Sequence, residues 1–131
     1  MDYESLFDNQ EVIQTCEPGE TVFAEGEVAD AVYFVLDGKV EVQRHGTAMS
    51  VEGAGSIIGE SALLASATHR GAAVARSAAR LARLERAQLK ELMNANADFA
   101  LHVMAALALR LRSVDAEIGS RTNSGADAPE A

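Results

Sequence analysis

Between residues 20 and 58 the chain runs in short apolar stretches, each cut off by glycine or another turn-forming residue. Residues 21–24 (TVFA), 31–36 (AVYFVL) and the alternating 39–43 (KVEVQ) have the length and the β-branched and aromatic content of strands. Asp37-Gly38 stands between the second and third stretches. Such a pair supplies the positive φ angles of a two-residue turn, so it predicts a hairpin joining them. His45-Gly46 and Gly53-Ala54-Gly55 mark further turns, and residues 74–84 supply more strand. Several short strands at close spacing predict a small barrel or roll.

From Arg86 the period changes: Leu89, Leu92 and Met93 recur at helical spacing, and neither glycine nor proline occurs again before Gly119. The pattern predicts a short helix from 86 to about 94 and a longer one from 98 to about 118, capped by Asp98. Within the longer helix Met104, Leu107, Leu111, Val114 and Ile118 alternate spacings of three and four, a heptad seam, and Leu101, Ala105, Ala108 and Leu109 form a second apolar surface. The surface with Leu101 and Leu109 is expected on the roll and the seam against a second copy, giving a homodimer through the C-terminal helix. The alternative is that the chain's own strands cover both. The domain is expected to span residues 1–118, with the small, polar, proline-bearing 119–131 as a disordered tail.

Composition narrows the class. At 131 residues, 48% hydrophobic and 24% charged, the chain reads as one folded soluble domain. No uncharged stretch approaches the roughly 20 residues of a membrane span. The acidic, polar amino terminus is unlike a signal peptide, so a cytoplasmic location is expected. The single Cys16 agrees, leaving no internal disulfide and no cysteine-based zinc site.

The net charge of −9 is unevenly spread. Residues 1–60 hold 13 acids against Lys39 and Arg44, a net of −11, whereas residues 61–131 hold nine bases against seven acids, a net of +2. So acidic a chain is a poor general binder of nucleic acid, and a small anionic ligand would find its counter-charge in the second half. Arg76, Arg80, Arg83, Arg86 and Lys90 have no interleaved aromatics and read as a solvated face. His45, His69 and His102 are scattered without metal-ligand spacing and read as surface or boundary residues. No nucleophile elbow occurs, and in the run from Gly53 to Gly59 the third glycine comes one residue late for a dinucleotide loop. No enzymatic activity is expected.

The most informative stretch is Gly59-Glu60-Ser61-Ala62-Leu63-Leu64, followed by Arg70-Gly71-Ala72. Arginine offers a planar fork of donors suited to oxyanions, which makes Arg70 the candidate contact for a small anionic ligand. A short helix beginning near Glu60 would aim free backbone N–H groups at the same anion, Gly71 and Ala72 could add theirs, and Gly59 permits close backbone approach. Glu60, acceptor-only when ionised, suits a hydroxyl. As isolated residues, Glu60 and Arg70 also read as an ion pair beneath a loop.

This stretch resembles the phosphate-binding cassette of the cyclic nucleotide-binding domain family. Residues 19–26 (GETVFAEG) and 33–40 (YFVLDGKV) look like that family's first strands with their structural glycines, and the two helices look like its B and C helices. The resemblance implies a mainly β fold with flanking helices, a double-stranded β-roll of jelly-roll type carrying a short helix and a long C-terminal helix. It implies a ligand-binding set of Gly59, Glu60, Ser61, Ala62, Arg70, Gly71 and Ala72, with Glu60 on the ribose 2′-hydroxyl. It further implies a purine cap from the C-terminal helix, for which Arg112, Ser113 and Asp115 are candidates by register. A carboxylate such as Asp115 would accept from the 6-amino group of adenine, which favours cAMP and leaves cGMP open.

The chain departs from the family pattern at Gly71, where Ser or Thr is common, and at His69 and Ala97, where Pro is common. A missing hydroxyl at 71 is expected to lower affinity by about one or two powers of ten. The expectation is a regulatory sensor that moves its C-terminal helix and acts through an effector protein still to be identified. The thirteen residues after Ile118 are expected to be too few for a helix-turn-helix domain, so direct DNA binding is not expected. The rival is a structural or protein-interaction module that keeps the fold without the ligand.

Overall fold

The computed structural model describes residues 3–7, 12–64 and 67–124, with side chains for 5–7, 12–64 and 67–112. A short helix, α1 (Tyr3–Leu6), precedes strands β1 (Ile13–Cys16), β2 (Thr21–Phe23), β3 (Ala31–Asp37), β4 (Val40–Arg44), β5 (Thr47–Glu52) and β6 (Ile57–Ile58). A 3-10 helix (Glu60–Leu63), β7 (Ala72–Ala75), β8 (Ala79–Glu85), α2 (Arg86–Ala95) and α3 (Ala97–Ser124) complete it. The strands form two antiparallel four-stranded sheets, ordered β1-β8-β3-β6 and β2-β7-β4-β5, the double-stranded roll expected from the sequence.

β3 and β8 explain why the apolar runs are continuous in places. Ala31, Tyr33 and Val35 point into the cluster shared with Phe23, Val40 and Ala73 of the other sheet, whereas Val32, Phe34 and Leu36 point to the cluster under the helices. A strand covered on both faces needs apolar residues at every position. On the helix side Phe34 meets Phe7 at 5.5 Å and Phe99 at 5.4 Å between ring centroids, so aromatic contacts tie α1 and α3 to the roll.

Asp37-Gly38 does not make the predicted hairpin, because β3 and β4 lie in different sheets. Gly38 does take a positive φ of 92°, and a Cβ there would fall 2.4 Å from the Ala78 carbonyl oxygen, so glycine is required where the chain crosses between sheets. The tight hairpin joins β4 to β5 instead, with Arg44 opposite Thr47 and His45 (φ 54°) and Gly46 (φ 79°) at its tip.

The helices follow the predicted order with shifted ends. The Asn96 backbone N–H donates to Leu92 O at 3.0 Å and its carbonyl accepts from Ala100 N–H at 3.1 Å, so Asn96 both ends α2 and opens α3. Asp98 therefore lies in the first turn rather than at the cap, where an acid still suits the positive end of the helix. α3 continues through Gly119 to Ser124, beyond the boundary at 118, because a single glycine weakens a helix by about 1 kcal/mol without ending it. The remainder of the proposed tail, 125–131, lies outside the described residues.

The face of α3 that docks also differs from the expected one. Phe99 and Val103 are buried, with Ala106 and Leu107 packed beside them, while Leu101 and Leu109 are 63% and 65% exposed. Phe99 supplies the largest buried side chain on the helix, and its position fixes the helix rotation. Among the described residues no helix is long and apolar enough to cross a membrane.

Pairing of β8 with β3 and of β7 with β4 brings bases of the second half onto acids of the first. Arg80 meets Asp37 at 3.1 Å, Arg83 meets Asp30 at 3.1 Å and Arg76 meets the largely buried Glu41 at 3.2 Å. The basic stripe thus stays on the surface, as expected of a solvated face, with three of its five members in ion pairs.

Candidate ligand-binding site

The turn after β6 determines the site's shape. Gly59 has φ 78° and ψ 31°, and a Cβ there would approach Ala31 O, Phe23 Cε2 and His69 Cε1 to 3.3 Å each. Both the left-handed backbone and the crowding favour glycine. The chain then enters the 3-10 helix, where Ala62 N–H returns to Gly59 O at 3.1 Å and leaves the first N–H groups without helical partners.

Beside this turn lies a cavity of about 680 Å³ between the second sheet, the cassette and α3, within the size range of small-ligand sites. Gly59, Glu60, Ser61, Arg70 and Gly71 all line it, so residues ten apart in sequence border one cavity. Ala62 does not, being buried in the helix-side core, and Ala72 sits in β7 opposite Gln43. Neither residue lines the cavity.

The Arg70 guanidinium is exposed and has no hydrogen-bond or ion-pair partner among the described residues. The ion pair considered for Glu60 and Arg70 does not form. Glu60 is instead held by Arg110 of α3, whose Nη1 donates to Glu60 Oε1 at 2.7 Å. Arg110 also donates through Nη2 to the Ile57 carbonyl, and its buried Nε makes no hydrogen bond and stands 3.9 Å from Glu52 Oε2. Glu52 is fixed in turn by the hydroxyls of Ser50 and Ser56, at 2.7 and 2.9 Å. One turn pair earlier on the helix, His102 donates its Nε2–H to Gly55 O at 2.8 Å.

Sequence reasoning missed Arg110 and His102. The signal was present: His102, Ala106 and Arg110 stand four apart and share one helix row, but the row gains meaning only when Phe99 and Val103 are known to dock. Arg112, a purine-cap candidate, is exposed and does not line the cavity. The side chains of Ser113 and Asp115 lie outside the described residues.

His69 is not a surface or boundary residue. It is 4% exposed, its ring stacks on Phe23 at 3.8 Å and 16°, and its backbone bonds to Gly26 and Glu27 at 2.8 Å each. Burial pushes its pKa below the ordinary histidine value, outweighing the opposite pull of Glu27, Asp30 and Glu60. Cys16 is buried too, and burial raises its thiol pKa, which disfavours the reactive thiolate.

Gly71 has a structural reason that the sequence did not reveal. A Cβ there would lie 2.1 Å from the Gln43 carbonyl oxygen of β4, just before β7 begins. A serine or threonine would collide with backbone rather than simply add a hydroxyl.

Comparison with known proteins places these features in a family. Residues 13–96 match the family model described as the cyclic nucleotide-binding domain. The catabolite activator protein of Thermus thermophilus superposes with a TM-score of 0.67 and 29% identity, over 82% of this chain and 53% of that one. A cAMP-bound structure of PfPKA-R (141–441) superposes with a TM-score of 0.59 and 19% identity, over 70% of this chain and 38% of that one, a likeness of fold alone. The human voltage-gated inwardly rectifying potassium channel KCNH3 is 41% identical over 44 residues, which span 34% of this chain and 4% of the channel.

Proposed function

The chain belongs to the cyclic nucleotide-binding domain family, and from that premise we propose that it is a regulatory sensor whose cavity takes cAMP or a closely related cyclic nucleotide. The observation that carries this reading is the Arg70 guanidinium, unpartnered among the described residues, in the cavity it lines with Gly59, Glu60 and Ser61. A cyclic phosphodiester brings one negative charge, which an arginine free of internal partners is suited to receive. Backbone N–H groups of the 3-10 helix and of Gly71 and Ala72 supplement it. A cyclic nucleotide ligand is what the family match supports, and the choice between cAMP and cGMP is left to the titration.

Glu60 is to meet the ribose hydroxyl. Because Arg110 of α3 already holds this carboxylate, a hydroxyl arriving at Glu60 competes with the helix for the same oxygens. Binding at the cassette and the seating of α3 are thereby coupled, which is the route by which the domain signals to an effector protein. Leu101, Met104, Ala108 and Leu111 form an exposed apolar stripe at spacings of three, four and three, which supports a homodimer through α3.

Isothermal titration with cAMP and with cGMP tests the reading. Saturable heat with either nucleotide supports the sensor, and its preference names the ligand. An absence of heat and of thermal stabilisation at about 1 mM nucleotide would reject the sensor and leave a protein-interaction module of the same fold.

A further inference from the structure

Five basic side chains line the cavity: Arg44, His69, Arg70, His102 and Arg110. Three are committed elsewhere. Arg110 is bound by Glu60 and the Ile57 carbonyl, His102 by the Gly55 carbonyl, and His69 is buried against Phe23 with its charged form disfavoured. Arg44 and Arg70 are exposed, and neither has a hydrogen-bond or ion-pair partner among the described residues.

The register brings the backbones of these two residues near each other, and both line the cavity. Gln43 pairs with Ala72 across β4 and β7, so the next step outward brings Arg44 beside Gly71, the residue after Arg70. The Cβ that Gly71 lacks would lie 3.8 Å from the Arg44 Cα, and no side chain can stand between the strands there. The acids that could neutralise Arg44 are occupied. Glu25 receives the backbone N–H and ring of the adjacent His45, at 2.8 and 3.0 Å, and Glu52 and Glu60 are held as described above. In a first half with a net charge of −11, an unpaired arginine at a cavity wall is conspicuous.

We propose that Arg44 is a second phosphate-binding residue, closing with Arg70 on the ligand's phosphate from the facing strand and replacing the hydroxyl that Gly71 cannot carry. This rests on the cyclic nucleotide reading above. The ligand's anionic oxygens lie over the β4–β7 edge between the two guanidinium groups, each a fork of N–H donors. Because both cations are partly solvated, the attraction is screened by salt.

Titration of cAMP against the wild type, Arg44→Gln and Arg44→Lys, at about 0.05 M and about 0.3 M salt, tests the clamp. Arg44→Gln is expected to bind about tenfold more weakly at low salt, as for one charge-assisted bond at a part-exposed site. Arg44→Lys is expected to regain part of that loss, and the wild type to weaken with salt more steeply than Arg44→Gln. Melting temperatures are expected to match the wild type, since Arg44 has no internal partner to lose. If the wild type binds and Arg44→Gln binds within about twofold of it, Arg44 is no phosphate ligand while the sensor reading stands. Equal losses in both variants with an unchanged salt response would likewise overturn the clamp. A wild type that binds neither cAMP nor cGMP overturns the clamp and the sensor reading together.

Discussion

Arg110 Nη1 stands 2.7 Å from Glu60 Oε1, so the long helix, and not the other arm of the cassette, holds the carboxylate proposed for the ribose. The guanidinium spans from α3 to β6 and the start of the 3-10 helix, since it also bonds the Ile57 carbonyl. Removing it leaves two carboxylates and a carbonyl short of a cation. Arg110→Gln is expected to lower stability by about 1–3 kcal/mol, read as a shift of the urea midpoint, and to speed amide exchange in α3. An unchanged midpoint and exchange pattern would mean that Phe99 and Val103 seat the helix alone.

Arg70→Ala has the opposite profile. The side chain is exposed and makes no hydrogen bond or ion pair among the described residues, so the melting temperature is expected to stay put while cAMP affinity falls by about a hundredfold, the cost of leaving a bound phosphate without its counter-charge. Glu60→Ala is expected to narrow the preference for ribose over 2′-deoxyribose ligands. A dissociation constant for Arg70→Ala within about twofold of the wild type would misplace the phosphate.

Gly71→Ser separates a chemical from a structural account of the missing hydroxyl. If the glycine were only the loss of a donor, serine would tighten binding by about tenfold. With the Gln43 carbonyl 2.1 Å from the new Cβ, the strands must part, and the variant is expected to lose at least about 1–3 kcal/mol of stability without gaining affinity. Chemical denaturation and titration of the same preparation distinguish the two.

These cases show what a sequence can carry. That Gly59, Glu60 and Arg70 border one cavity was legible because each residue type at that spacing has a clear chemical use. The strands of the roll were legible from short apolar runs, but Asp37-Gly38 was assigned to a hairpin because positive φ is a local property and sheet membership is not. Arg110 stayed hidden for a related reason: its neighbours depend on the rotation of α3, which Phe99 determines through contacts with Phe7 and Phe34 remote in sequence. Gly71 looked like a loss, since the approach of a carbonyl from another strand leaves no trace in the adjacent residues.

His69 makes stability depend on pH. Its pKa in the fold lies below the ordinary value of 6.5, chiefly through burial, so near and below that value the unfolded chain binds the proton more readily. Its contribution is fully present above pH 6.5 and is lost as pH falls through the folded pKa. The melting temperature is therefore expected to drop as pH falls below 6.5, and His69→Phe, which keeps a ring on Phe23, is expected to flatten that slope. An identical slope in the variant would move the titration to other groups.

The exposed stripe on α3 bears on assembly. Leu107, which the heptad pattern places in the seam, packs against the chain's own core, so the helix is rotated and Leu101, Met104, Ala108 and Leu111 face outward instead. Leu101, Met104 and Leu111 are 63%, 55% and 62% exposed, and each would gain about 1.5–3 kcal/mol on full burial, which gives a second copy of the helix a substantial reason to cover them. The three-four-three spacing is the geometry that two such helices share along a common seam. Leu111→Asp is expected to yield monomers in sedimentation, because a carboxylate at a paired position would face its own copy across a dry interface. It leaves the cavity wall untouched, as Leu111 does not line it, so loss of dimer with retained cassette chemistry is the expected pair of results. A wild type that sediments as a monomer at about a hundred times the ligand's dissociation constant would remove the dimer and leave the coupling between Glu60 and Arg110 to act within one chain.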